Sequence, residues 1–577
     1  MANKRIKEFF NSKFFEIPKY QRGYAWEKSN VRDLFEDIQE AIEVKANHYI
    51  GTIVLSKTDR NDYFYVVDGQ QRITTITMII HALISHMDDE DAMYYRRFYI
   101  REGDYYRLAP LGREKDFFKE LLKNGAASLN PINRSQRLLI EAYQEIMDMF
   151  EHILKTTSPK VYLESIENLQ IMEFVEESEG DAIRIFQTVN DRGKPLTNME
   201  KTKSLLVYFS NRYLGGSLDS SINEDFGSIF ELYDQIKLTG QLNNIDLISG
   251  RYGEFTEDNI MRYHFVTFSR ENYDPTASYI LQYLKNELKK LRKVENDNIN
   301  LESFIKNYVE SLLGFFDSLN EVIQKTNTDE RYFKIFSILG LSPTLYPLIT
   351  VLNGQKRLEN KLFTDNNCAY NFLDLIEIID VRVYKIRGTD PKSDMARFVY
   401  KYNHSKNLID DQIRDDLTWF NSRWMSESEF RNNLLGSVYK RSKAVLPFIL
   451  LDYSEFLSSF RHELEDLKDF VKTKSLTVEH ILSQTPKFSL DTHGFQSEEE
   501  YLEFKDTMGN LTLLEKSINS SVKNRNILEK ISFYDKSKFK MTKLLATEIT
   551  YSNQFNKKDI EARTEELMKY MERKWWC

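Results

Sequence analysis

An adjacent carboxylate and imidazole, Glu479 and His480, are embedded in the apolar run Leu476-Thr477-Val478-Glu479-His480-Ile481-Leu482. Hydrolysis of a phosphodiester needs two such functions, because a cation must neutralise charge on the phosphorane while a base with a pKa near neutrality takes a proton from water. Glutamate offers a hard oxygen ligand suited to Mg²⁺, and histidine offers the base. In a strand, successive side chains point to opposite faces, so the two neighbours can serve different jobs. The pattern resumes as Met508-Gly509-Asn510-Leu511-Thr512-Leu513-Leu514, then Asn519, then Lys523-Asn524-Arg525. From Lys516 to Lys543 the cations Lys516, Lys523, Arg525, Lys530, Lys536, Lys538, Lys540 and Lys543 face only Glu529 and Asp535. That strip is either a track for nucleic-acid phosphates or a solvated helix face. Read without the rest of the pattern, Glu479-His480 is more readily a helix cap and the asparagines turn residues; it is the combination at this spacing that points to a nuclease site.

Three polar islands near the N-terminus also join arginine and amide side chains to a glycine. They are Ile17-Pro18-Lys19-Tyr20-Gln21-Arg22-Gly23-Tyr24-Ala25-Trp26, Val66-Val67-Asp68-Gly69-Gln70-Gln71-Arg72, and Phe186 to Thr197 with Asn190-Asp191-Arg192-Gly193-Lys194 at its centre. In the second, a strand runs into Asp68-Gly69 and a helix begins near Gln70. Free backbone N–H groups and Arg72 then favour an anion such as phosphate. Alone, the segment is also compatible with a tight turn and a helix cap. No G-x-x-x-x-G-K-[ST] occurs, so this is not a P-loop. Tyr24 and Trp26 offer either faces for a base or core packing.

The elements that must position these residues follow from periodicity. Short β-type runs (Tyr49–Leu55, Tyr63–Val67) alternate with helical patterns (Val31–Val44, Ile73–His86), which predicts a mixed α/β N-terminal region. Residues 115–155 read as helical, Glu164–Val175 as more β-like, and Asp181–Val189 as helical again. Beyond Lys201 helical patterns dominate, among them Tyr279–Val294, Leu301–Gln324 and Phe372–Ile386. Around His480 and Asn510 the natural order is strand, loop, strand, helix.

Composition supports a helical chain of several domains. With 577 residues, 21 glycines and 11 prolines, turn-rich sheet is scarce and more than one core is expected. Two cysteines are too few for a thiolate zinc cage or a disulfide framework. The net charge of −9 means that DNA binding would have to use local basic surface. No apolar stretch is long enough for a membrane span, and the opening MANKRIKEFF lacks an apolar signal segment, so a cytoplasmic protein is expected.

Glu-His-Ile followed by Gly-Asn-Leu-Thr-Leu-Leu and Ile518-Asn519 resembles the HNH (ββα-metal) nuclease motif. It is most similar to the C-terminal module of GmrSD-type, modification-dependent (type IV) restriction endonucleases. The three N-terminal islands, in this order, resemble the N-terminal domain of the same proteins, a ParB/sulfiredoxin-like fold with a DGQQR motif. The resemblance implies His480 as general base, Asn510 as the residue orienting the loop or the base, Glu479 and Asn519 as metal ligands with Asn524 as a competitor, and Lys523 at phosphate. Here the first ligand is Glu where Asp is commoner, and the last motif position is Asn.

For the N-terminal domain it implies nucleotide binding and hydrolysis by Asp68, Gly69, Gln70, Gln71 and Arg72. By the same resemblance Tyr20, Gln21 and Arg22 would line the same cleft, with Asn190, Asp191, Arg192 and Lys194 as further candidates. The expected fold is α-rich and multidomain: an α+β ParB/sulfiredoxin-like domain (1–210), a helical connecting region (211–400) and an HNH domain (401–577, core 471–545). The implied function is anti-phage cleavage of modified double-stranded DNA with Mg²⁺ or Mn²⁺, regulated by NTP, as a nickase or, through a homodimer, a double-strand cutter. A phosphorothioate-sensing nickase, a nucleotide-regulated DNA-binding protein with an inactive nuclease site, and an RNase toxin are the rival readings.

Overall fold

The computed structural model describes residues 2–575 apart from 19–20, 22, 45–48, 113, 128, 178–196, 251–252, 293–297, 364–368, 406, 459–460, 486–487 and 523. The chain is mostly helical and divides into two compact units. One comprises Met1–Leu238, Glu257–Met261 and Thr276–Phe316; the other comprises Thr239–Thr256, Arg262–Pro275 and Asp317–Cys577. The boundaries expected near 210 and 400 fall inside the helices Asn198–Leu214 and Lys392–His404. Among the described residues no helix is long and apolar enough to cross a membrane.

The first unit is built on a six-stranded mixed sheet. Its strands are β1 (Ala2–Arg5), β2 (Phe14–Ile17), β3 (Tyr49–Lys57), β4 (Tyr63–Asp68), β5 (Leu108–Pro110) and β6 (Gln170–Glu176), in the order β1-β6-β3-β4-β2-β5. β3 and β4 are antiparallel, with Leu55 opposite Val66 and a register shift between Val54 and Leu55. Helix α1 (Gln70–Ile84) leaves the end of β4, and every residue from Ile73 to Ile84 is buried. A helix buried on all sides must satisfy its polar side chains internally. Thr75 and Thr77 do so by donating to the carbonyls of Gln71 and Ile73, at 2.9 and 2.8 Å. The packing anchors the start of α1, since each buried Ile or Leu contributes about 1.5–3 kcal/mol.

One sequence expectation is corrected in this unit. Residues Pro159–Asn168 form a helix, and only Gln170–Glu176 is strand, so the first half of the β-like stretch Glu164–Val175 is helical. Ser158 caps it by accepting from the Val161 N–H, Pro159 opens it, and Tyr162, Leu163 and Ile166 form its buried face.

The second unit surrounds a two-stranded hairpin with helices. β7 (Thr477–His480) and β8 (Leu511–Leu514) are antiparallel, with Glu479 opposite Thr512 and His480 opposite Leu511. Helices α2 (Lys516–Val522), α3 (Ile527–Tyr534) and α4 (Lys557–Lys574) follow in sequence, with Lys540–Ser552 between the last two. Ile481, Leu482, Leu514, Val522, Ile527, Tyr534 and Ile560 share one apolar cluster. The hairpin is thereby held between helices rather than left as an isolated, marginal pair of strands.

Candidate functional site

The residues singled out in the sequence form two groups that could carry chemistry, one within each unit. In the second unit, His480 ends β7. Its Nε2 lies 3.0 Å from Asp506 Oδ1, and the Gln484 amide nitrogen is 3.3 Å from the same ring nitrogen. Tyr439 packs edge-on against the imidazole at 4.4 Å between ring centroids, and its backbone N–H donates to the Asp506 carbonyl at 3.1 Å. A carboxylate can only accept, so Nε2–H donates to Asp506, the Gln484 amide nitrogen is not a hydrogen-bond partner of that protonated nitrogen, and Nδ1 is left as the proton acceptor. Nδ1 makes no hydrogen bond among the described residues. Burial lowers the His480 pKa below its ordinary value, against the Asp506 carboxylate, which raises it, while Lys530 and Lys505 lower it further. The ring is therefore neutral at neutral pH, the form in which it can accept a proton.

Asn510 is fully buried and clamps this arrangement. Its Oδ1 accepts from the Leu482 N–H at 2.8 Å, and its Nδ2 donates to the carbonyls of Leu482 and Lys505 at 3.0 and 2.8 Å. One side chain thus joins the segment leaving His480 to the residue preceding Asp506. The adjacent Gly509 is required by close approach: a Cβ there would lie 1.9 Å from the Ile560 carbonyl oxygen of α4. Arg563 of α4 donates to the carbonyls of Gly509 and Leu511, at 3.1 and 3.3 Å.

In the first unit, Gly69 takes φ +86° as N-cap of α1, a left-handed conformation that glycine adopts cheaply. Burial pushes the Asp68 carboxyl up to about 6, against the Gly69 N–H and the Arg72 charge, which pull it down. Arg72 donates to the Thr52 carbonyl at 3.2 Å and crosses Gly51, where a Cβ would meet the guanidinium carbon at 2.6 Å. Gln71 accepts from the Ala25 N–H at 2.8 Å and donates to the Gly23 carbonyl at 3.1 Å; Gln21 donates to the Val67 carbonyl at 3.2 Å. The first two islands are therefore interlocked. A cavity of about 430 Å³ lies against them, with Gln21, Gln70, Gln71 and Asn133 in its wall. Gln70 Oε1 is buried without a hydrogen-bond partner among the described residues. Tyr24 is core, 6% exposed, with its hydroxyl 2.7 Å from Thr75 Oγ1, and Trp26 packs on the same core. Tyr20, Arg22, Asn190, Asp191, Arg192 and Lys194 lie outside the described residues, as does Lys523.

Residues 6–207 match the family described as GmrSD restriction endonuclease, N-terminal domain, and residues 424–570 match GmrSD restriction endonucleases, C-terminal domain. The chain belongs to the GmrSD restriction endonuclease family. No curated protein matches it in sequence. The two matched segments of this GmrSD chain contain both groups of residues described above, and membership makes it a restriction endonuclease that acts on DNA.

The expected metal ligands in the C-terminal matched segment make other contacts. Glu479 Oε1 accepts from the Lys530 ammonium at 2.6 Å and from the Tyr534 hydroxyl at 3.4 Å. Asn519 Nδ2 donates to Thr477 Oγ1 at 2.9 Å, and that hydroxyl donates to the Leu514 carbonyl at 2.6 Å. Among the described residues no group of three or more His, Cys, Asp or Glu side chains could hold a metal ion. Mg²⁺ prefers near-octahedral oxygen ligation. One carboxylate already paired with an ammonium and one amide turned to a threonine do not fit it as they stand.

Lys530 departs from the surface role expected of the basic strip. It is 1% exposed and lies on the buried face of α3 with Ile527 and Tyr534. Lys516, Arg525, Lys536, Lys538, Lys540 and Lys543 are exposed. The i, i+3, i+7 spacing of Ile527, Lys530 and Tyr534 was the available signal that this lysine faces a core. Asp506 and Tyr439 were also missed, and neither has a local sequence signature.

Proposed function

We propose that this chain cuts modified DNA in bacterial anti-phage defence, with the hairpin β7/β8 and α2 serving as an HNH-type nuclease core. His480 Nδ1 takes the proton from the attacking water, and Asp506 holds the ring from the other side. The water oxygen adds to phosphorus, and the 3′ or 5′ sugar oxygen departs as the bond to it breaks. Asn510 acts as a positioning residue through the two segments it joins. The exposed cations of the 516–543 strip meet the DNA backbone. Mg²⁺ or Mn²⁺ is the cofactor expected of such nucleases, yet Glu479 on Lys530 and Asn519 on Thr477 do not fit it as placed.

The N-terminal unit, on the same reading, is a ParB/sulfiredoxin-like domain that binds and hydrolyses NTP. Arg72 and the first N–H groups of α1 take phosphate oxygens, which a guanidinium fork and a helix N-terminus both favour. Asp68 orients water or a hydrated cation, and the orphan Gln70 Oε1 accepts from the nucleotide. Hydrolysis there regulates cutting.

The single observation that supports the reading most is the buried His480–Asp506 pair at the end of the hairpin. The test is cleavage of unmodified plasmid, glucosylated phage DNA and phosphorothioate-containing DNA with Mg²⁺, with and without NTPs, beside His480→Ala. Cutting of one modified substrate that His480→Ala abolishes establishes the activity and its target. Tight binding of DNA with no cutting would replace it with a regulatory DNA-binding protein, and preference for structured RNA with an RNase.

A further inference from the structure

The cation beside Glu479 is part of the protein. Lys530 has three N–H donors, and the structure gives each an acceptor: Glu479 Oε1 at 2.6 Å, the His480 carbonyl at 2.7 Å and the Ile481 carbonyl at 3.1 Å. The ammonium is saturated and nearly inaccessible. Its helix is fixed at the start by Asn526, which caps α3 by accepting from the Glu529 N–H at 2.9 Å. Tyr534, one turn further along α3, reaches the same carboxylate oxygen.

A divalent ion brought to Glu479 would meet this ammonium at short range, with both positive charges competing for one carboxylate. Like charges in a buried site repel strongly because little water screens them. The same three contacts tie α3 to the end of β7, where the His480 side chain meets Asp506. We infer that Lys530 is the resident cation of this hairpin, keeping Glu479 out of metal coordination and positioning His480 through the two carbonyls it grips. Lys530 is then a positioning residue, and Glu479 is its counter-ion.

The inference rests on the endonuclease reading only for the role given to His480, because metal binding is measured without cleavage. Mn²⁺ is titrated into the full chain, free of DNA, and bound ion is counted by electron paramagnetic resonance. Wild type and Glu479→Gln are expected to bind Mn²⁺ alike. Lys530→Met is expected to gain a site tighter by about tenfold or more, which Lys530→Met combined with Glu479→Gln loses. In cleavage assays Lys530→Met should lower kcat with KM unchanged, and Lys530→Arg, which keeps charge and donors, should restore part of it. A wild-type Mn²⁺ site that Glu479→Gln removes would overturn the assignment, as would full cleavage by Lys530→Met. If Lys530→Met does not fold, the comparison of wild type with Glu479→Gln decides alone. A wild type that cuts nothing would sink the endonuclease reading while leaving the Mn²⁺ result standing.

Discussion

Replacing Asn510 by Asp changes one atom, yet it should cost as much as replacing it by Ala. The amide accepts one hydrogen bond and donates two, and all three partners are main-chain groups of Leu482 and Lys505. Asp keeps the acceptor for the Leu482 N–H, but it turns a carboxylate oxygen toward two carbonyl oxygens inside a fully buried site. Ala removes all three bonds. Both changes leave the carbonyls of Leu482 and Lys505 buried without this donor, and at about 1–3 kcal/mol for each, either removes roughly 2–6 kcal/mol. For a unit of this size about 2 °C is lost per kcal/mol, so the transition containing the hairpin should fall by roughly 4–12 °C.

Differential scanning calorimetry of the full chain measures this, provided the transitions of the two units are fitted separately. Hydrogen exchange locates it, because the Leu482 amide loses its acceptor in the Ala variant and should exchange faster in peptides spanning Ile481–Ser483. Cleavage should fall by about 100-fold even where the protein is folded, since a displacement of about 1 Å between base and substrate suffices for that. An Asp variant that melts within about 1 °C of wild type and cuts normally would refute the clamp, because no rearrangement of a buried carboxylate satisfies two carbonyls.

Cleavage by His480 requires the neutral ring, so kcat/KM should rise with pH along one acid limb. Because burial lowers the His480 pKa, that limb should lie below the ordinary histidine value and be complete by neutral pH; a limb centred above neutrality would exclude His480 as the base. Asp68, held up to about 6 by burial, is ionised only above that value. Binding of Mg-NTP to the full chain, followed by calorimetric titration, should therefore strengthen as pH rises through 6, and Asp68→Asn should flatten the dependence. The raised pKa also makes Asp68 a destabilising group whose effect is absent below the unfolded carboxylate value and complete once pH exceeds the folded one. Gly509→Ala should yield little soluble protein or a strongly lowered melting transition, because its Cβ would lie 1.9 Å from the Ile560 carbonyl oxygen, and backbone cannot give way as a flexible side chain does; normal expression and melting would show that α4 can shift.

What the sequence by itself determined is whatever depends on near neighbours. Helical periodicity marked α1 and the long helices of both units, and the apolar runs on either side of the connection marked β7 and β8. Asp68-Gly69-Gln70 announced a strand, a left-handed glycine and a helix start within a few residues, which is local backbone chemistry. The sequence also singles out His480 and Asn510 as candidates, because their residue types and spacing limit what they can do.

Tertiary structure decided the partners. Asp506 reaches His480 across 26 residues, and Lys530 reaches Glu479 across 51. No period of 2 or 3.6 encodes either pairing. The strip from Lys516 to Lys543 looked uniform as a string of charges, yet α3 turns Lys530 into the core while Lys536, Lys538 and Lys540 stay in solvent. Whether a charged side chain becomes a phosphate contact or a buried counter-ion depends on which face of its helix meets the hairpin. Composition is blind to that, because desolvation and pairing are properties of packed surfaces and not of residue types.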